Sequence, residues 1–108
     1  MELKGISNCP VTFCLSMIGG KWKLLIIWLL YNDICRFGEM RRKMPEITKQ
    51  MLTKQLRELE QDGIINREVF AEMPPRVEYS FTEFGQSLLP VVFAMRDWGN
   101  AQKQALRA

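Results

Sequence analysis

Lys49, Gln50, Thr53, Lys54 and Arg57 fall on one side of a helix drawn through them, and each carries a side chain that pairs with nucleic acid. Gln pairs bidentately with adenine, Lys or Arg with guanine, and a Thr methyl packs on the methyl of thymine. Lys54 and Arg57 suit phosphate equally well. Just upstream, Arg41, Arg42 and Lys43 form a basic run fit for backbone contacts that set register. The segment 36–57 holds seven Lys/Arg against two carboxylates, a charge of +5, in a chain whose net charge is +3. The remaining residues therefore sum to −2 (3 − 5). Such gathering of positive charge is the electrostatic footprint of a DNA-reading element. The competing account is a merely solvated face in which Lys54 pairs with Glu58 at i, i+4.

The elements that must hold these residues are legible from periodicity and punctuation. Asn8 is placed to cap a first helix with Pro10 in its first turn, apolar at Val11, Cys14, Leu15 and Ile18 and ended by Gly19-Gly20. A second helix is expected from about Lys21, with Trp22, Leu25, Ile26 and Leu29 as its main stripe and further apolar residues almost all round. A short third helix covers Phe37 to Lys43, stopped by Pro45. Thr48 is a good N-cap for the next helix, Lys49 to Gln61, whose inward face is Met51, Leu52, Leu56 and Leu59. Gly63 stands where a helix end needs positive φ. The period then drops to two: Ile65, Arg67 and Val69 alternate with their neighbours, as do Val77, Tyr79 and Phe81 after the Met73-Pro74-Pro75 turn. That is a hairpin with a stiffened tip, and its Arg67 and Arg76 are candidates for phosphate or minor-groove contact. Thr82 caps a C-terminal helix on which Phe84, Leu88, Val91, Met95 and Trp98 step by 4, 3, 4, 3, a heptad-like seam. Pro90 should kink that helix or start a second segment. A second stripe, Leu89, Val92 and Phe93, gives it more apolar surface than one docking face needs, so dimerisation is expected, with Val11 and Leu15 of the first helix contributing.

The fold expected is α+β, mostly α: a winged helix-turn-helix with an extra helix at each end forming a dimer surface. One domain spans residues 1–108, with the helix-turn-helix at 36–62, the wing hairpin at 64–81 and the dimerisation helix at 82–104. In such a motif the second helix of the pair enters the major groove, and a dimer sets two of them about 34–36 Å apart on a palindromic site. Double-stranded DNA and a second copy of the chain are thus the expected partners.

Composition narrows the alternatives. There is no His, and the three cysteines, Cys9, Cys14 and Cys35, form no CxxC pair. No metal site and no cofactor are expected, and the usual Ser-His and Cys-His dyads are absent, which weighs against an enzyme. Cys14 and Cys35 read as buried structural thiols. Neither a secretory signal nor a membrane-length apolar run is seen, so a cytoplasmic protein without membrane association is expected. Two other functions fit a winged helix: a protein-interaction module, against which the +5 segment argues, and a ligand-binding protein whose pocket walls would be Trp22, Trp28, Phe93 and Trp98. The second is compatible with DNA reading and would add a small-molecule effector.

The segments CPV (Cys9 to Val11), IGGKW (Ile18 to Trp22), RFGEMRR (Arg36 to Arg42), LTKQLRELEQDGII (Leu52 to Ile65), PPRVEYSFTEFG (Pro74 to Gly85), SLLPVV (Ser87 to Val92) and DWG (Asp97 to Gly99) together resemble the HxlR-type family of bacterial transcriptional regulators. The resemblance covers about residues 9–100 and implies a dimeric winged-helix DNA-binding protein of MarR-like architecture; repression is expected on separate grounds, as the commoner outcome for a small regulator with no activation domain. The resemblance also implies a recognition helix at Lys49 to Gln61, a wing at Phe70 to Val77 and a dimer surface on the terminal helices. Some members sense oxidants or electrophiles through the Cys of the CPV segment, which falls on Cys9. The start of a helix lowers a thiol pKa and favours the reactive thiolate, so the chemistry is reasonable; the alternative is a small packing residue or cap.

Overall fold

The computed structural model describes residues 8–107. The first helix, α1 (Pro10–Ile18), starts with Pro10 at N1, where a missing N–H costs nothing. Its N-cap is Cys9, not Asn8: the thiol sulfur accepts the Thr12 N–H at 3.3 Å. The helix α2 (Lys23–Tyr31) begins two residues later than the sequence suggests. Its buried stripe is Lys23, Ile26, Ile27 and Leu30. Leu25, expected inside, is exposed, because a helix apolar on every side leaves its rotation to tertiary packing.

The next pair matches the expected bounds. α3 (Phe37–Lys43) ends at Met44 before Pro45, and α4 (Lys49–Gln61) starts at Thr48, whose hydroxyl accepts the Met51 N–H at 3.0 Å. Leu52, Leu56 and Leu59 of α4 are buried, and Met51 lies half-buried beside them. Gly63 adopts φ +76, which closes the helix into the first strand.

Strands β1 (Ile65–Phe70) and β2 (Arg76–Phe81) form an antiparallel hairpin in the register Arg67↔Tyr79 and Val69↔Val77. β2 shows no clean inside-outside alternation, since four successive residues from Arg76 are half-buried. Its Tyr79 N–H donates to the Cys35 carbonyl at 2.9 Å, tying the α2–α3 loop to the hairpin.

The C-terminal region is not one continuous helix over 82–104; it divides near Pro90, the second-segment outcome that this proline allowed. Thr82 does cap a helix, its hydroxyl accepting the Gly85 N–H at 2.8 Å, but that helix, α5 (Glu83–Gln86), is one turn long. The chain breaks at Ser87 and Leu88, and α6 (Leu89–Arg107) carries Pro90 in its first turn. Gly85 is required here: a Cβ would stand 2.0 Å from the Ile64 carbonyl oxygen.

The core joins Ile26, Ile27 and Leu30 of α2, Met40 of α3, Leu52, Leu56 and Leu59 of α4, and Ile64 and Ile65 at the start of the hairpin. α6 adds Val92, with Leu89 partly buried and Phe93 edge-on to Tyr31 at 4.9 Å. α4 is thereby held from behind by α2, α3 and β1 while its outer face stays open. No single described helix is long and apolar enough to cross a membrane; α1 and α2 together pass that test but meet at 74°.

Candidate DNA-binding surface

The outer face of α4 follows from its pattern. With Leu52, Leu56 and Leu59 in the core, Lys49, Gln50, Lys54, Arg57 and Gln61 must face solvent, and all five are exposed. Thr53 is half-buried and its hydroxyl donates to the Lys49 carbonyl at 2.9 Å. Thr48 is exposed, with its oxygen occupied by the cap. Arg41, Arg42 and Lys43 are exposed on the last turn of α3. A shallow depression brings Arg41 and Arg42 together with Lys49, so the end of α3 and the start of α4 offer one cationic surface.

Among the described residues, Arg36 alone of the seven basic residues in 36–57 takes part in an ion pair, with Glu78 at 3.5 Å. The Lys54–Glu58 pairing that would have made this a self-neutralised face does not form. Glu58 instead meets Lys23 of α2 at 2.7 Å. Lys23 is the buried charged residue of the core, 8% exposed. Its ammonium, hydrogen-bonded to Glu58, holds that carboxyl below its ordinary pKa of 4.5. This pair was not foreseen from the sequence; a Lys one position after Trp22 in an otherwise apolar run was its only signal. Glu58 still borders the outer face beside Lys54 and Arg57, but its ion pair is with Lys23, and among the described residues Lys54 and Arg57 have no ion-pair partner.

The hairpin residues divide. Arg67 on β1 is exposed and approaches α4, sharing a cleft with Thr53, Arg57 and Tyr79. Arg76 is half-buried near the tip: its guanidinium lies over the Phe70 ring at 4.1 Å and faces Glu78 at 3.3 Å and Glu72 at 3.6 Å. The Nε–H of Arg76 is within ion-pair range of both carboxylates yet aligned for a hydrogen bond with neither. Of the two wing arginines, Arg67 is the one presented with its charge unspent.

The surfaces expected to meet a second copy are apolar and open. On α1, Val11, Phe13 and Leu15 are each more than 60% exposed. On α6, Val91, Met95 and Trp98 are exposed at successive turns, and Trp98 reaches 69%. Phe84 is exposed too, but it sits on α5, so it does not continue the α6 seam. Leu88 is half-buried against the core. The second stripe of the C-terminal region, Leu89, Val92 and Phe93, is the one that docks inward.

Cys9 is partly buried at the head of α1, and the hydroxyl of Thr12 lies 3.1 Å from its sulfur. Hydrogen bonds from that hydroxyl and from the Thr12 N–H lower its pKa from the ordinary 9.0. Cys14 is exposed on α1, not a buried thiol as its apolar neighbours suggest. Cys35 is half-buried against the core, and burial pushes its thiol pKa up. A groove between α2 and α6 has Leu25, Trp28 and Met95 in its walls, but Trp22, Phe93 and Trp98 lie outside it. Of the four aromatic residues expected to wall a ligand pocket, Trp28 alone lines this groove.

The model of the HxlR-like helix-turn-helix family matches residues 17–106. The chain belongs to the HxlR-like family. Its relatives include the HTH-type transcriptional regulator YybR of Bacillus subtilis (strain 168), 51% identical over 101 residues that cover 94% of this chain and 81% of that protein. Among solved structures, the redox regulator HypR in its reduced form superposes with a TM-score of 0.84 at 51% identity, covering 92% of this chain and 98% of the other. Its oxidised form gives 0.81 at 54% identity, covering 86% and 96%. This HxlR-type chain is a winged helix-turn-helix transcriptional regulator of MarR-like architecture, and its helix-turn-helix is a DNA-binding element.

Proposed function

We propose that this HxlR-type protein is a repressor that binds a palindromic operator as a homodimer and releases or tightens on it when Cys9 is oxidised. The observation that carries the DNA reading is the outer face of α4: Lys49, Lys54 and Arg57 are exposed on the second helix of the pair, and among the described residues none has an ion-pair partner. In this role Gln50 and Thr53 read base edges alongside them, and Arg41, Arg42 and Lys43 grip phosphates near the turn. Dimerisation is supported by the exposed seam Val91, Met95 and Trp98 and by the exposed α1 face. Apolar surface of that extent on a small protein marks an interaction site.

The redox reading rests on the similarity to the redox regulator HypR and on the hydrogen bonds from Thr12 that lower the pKa of Cys9. An oxidant of the hydroperoxide class is attacked by the thiolate: an S–O bond forms, the O–O bond breaks, Cys9 becomes a sulfenic acid and the peroxide leaves as water or alcohol. The sulfur that caps α1 then carries an added oxygen, which disturbs the helix next to the dimer face.

The test is binding of reduced protein to the DNA upstream of its own gene across a salt series. A regulator with several phosphate contacts loses on the order of a thousandfold in affinity between about 50 and 200 mM salt while keeping a preference for its operator. Absence of binding at any salt defeats the reading. Repeating the titration after peroxide treatment, with wild type and Cys9→Ser, tests the switch; unchanged oxidant sensitivity in the variant removes Cys9 from it.

A further inference from the structure

Where α4 meets the root of the hairpin, Thr53 and Arg57 from the helix face Arg67 from β1 and Tyr79 from β2 across a cleft closed by Phe37 and Glu60. The cleft has a volume of about 360 Å³. Arg67 and Tyr79 are directly opposite in the hairpin register, so their side chains leave the sheet on the same face. Arg57 and Arg67 come from separate elements, converge on one space, and have no ion-pair partner among the described residues. Arg76 on the same hairpin, by contrast, is occupied by Glu72 and Glu78. The lining carries two guanidiniums and one carboxylate, Glu60, for a net +1 (2 − 1). That matches the single negative charge of a phosphodiester. Planar guanidinium forks suit its oxygens, and the Tyr79 phenol adds a hydroxyl donor.

We propose that this cleft seats one DNA backbone phosphodiester between the recognition helix and the wing, with Arg57 and Arg67 as its two facing donors and Tyr79 as a third. The proposal rests on the DNA-binding reading and deepens it. A phosphate held at the root of the wing, beside Thr53, locks the helix to the backbone at the point where base readout starts, a register contact that carries no sequence information itself.

The experiment has two arms, each run on wild type, Arg67→Gln and Arg67→Lys. In the first, inorganic phosphate is titrated into DNA-free protein at low ionic strength while NMR follows the Tyr79 ring and the Thr53 amide. In the second, affinity for operator and unrelated DNA is measured across salt. The expected results are a phosphate-induced shift that Arg67→Gln abolishes, and a log K against log salt slope that becomes shallower by about 0.9 in that variant. The ratio of operator to unrelated affinity stays the same, and Arg67→Lys recovers the slope but only part of the phosphate shift. A slope identical in wild type and Arg67→Gln overturns the proposal. If that occurs while wild type still binds operator steeply and selectively, the regulator reading survives without the phosphate seat. If phosphate binds through Arg67 but the DNA slope does not change, or no DNA binds at all, the cleft takes a free oxyanion and the DNA source is refuted.

Discussion

Cys9 shows how one residue serves structure and chemistry together. Its sulfur caps α1 and is held by the Thr12 hydroxyl at 3.1 Å, and that hydrogen bond is the largest cause of its lowered pKa. Thr12→Val removes the hydroxyl and keeps the branched shape. In a background with Cys14 and Cys35 replaced by Ser, the alkylation rate of Cys9 should then shift its pH profile upward and fall several-fold at neutral pH, with Thr12→Ser near wild type. An unmoved profile would assign the reactivity to the helix terminus alone. Lys23 and Glu58 make a second residue-scale case. The pair is asymmetric: Lys23 is buried, whereas the Glu58 side chain keeps 37% exposure. Glu58→Ala strands a cation in the core, while Lys23→Met leaves a carboxylate that still reaches water, so chemical denaturation should show the Glu58 variant as the less stable. The folded pKa of Glu58 is depressed, so the pair stabilises the protein above the ordinary glutamate value of 4.5, and that contribution is lost as pH falls through the folded pKa. Stability measured from neutral pH downward should therefore drop more steeply in wild type than in Lys23→Met.

At the scale of elements, legibility tracked how local the determining interaction is. α3 and α4 were readable to the residue because Pro45, Thr48 and Gly63 act within a turn of their own positions. The hairpin was readable from its period and its proline tip. The rotation of α2 was not, since a nearly all-apolar helix contains no cue to which face the core takes. The break between α5 and α6 was legible in Pro90, which falls in the first turn of α6, but the single turn left to α5 was not. Phe84, Leu88, Val91, Met95 and Trp98 keep heptad spacing across the break, and the close approach of Gly85 to the Ile64 carbonyl, which ties α5 to the hairpin root, leaves no mark in that spacing. The cationic face of α4 was legible; the Lys23–Glu58 pair beside it and its convergence with Arg67 and Tyr79 depend on packing between distant segments and were not. Two substitutions test these assignments by denaturant midpoint. Thr48→Ala removes the α4 cap and should cost about 1 kcal/mol. Gly85→Ala forces α5 away from the hairpin root and should cost about 1–3 kcal/mol. Near-neutral Gly85→Ala would mean that α5 shifts freely and is not tied to the hairpin root there.

The whole molecule joins a cationic α3–α4 half to an apolar edge that one copy leaves uncovered. Only Val92 of α6 is fully buried, while Met95 and Trp98 stand 51% and 69% exposed on the turns beyond it. The α1 face adds Val11, Phe13 and Leu15. If a second copy covers this edge, the distance between recognition helices is set by α6 and α1 and not by anything in the DNA-contacting half. Two consequences can be measured together. Trp98→Glu places a charge in the centre of the seam and should convert a dimer to a monomer in sedimentation velocity. It touches no residue of the α4 face, so weak unselective DNA binding should persist while operator affinity falls by orders of magnitude. Inserting about 5 base pairs between half-sites turns one of them to the opposite side of the duplex, and should cost wild type as much as Trp98→Glu does. An insertion of about 10 base pairs restores the facing but not the distance, so a rigid dimer should recover little. Equal binding to all three spacings would mean that each copy reads its half-site independently, and the exposed edge would then have to serve something other than a second copy.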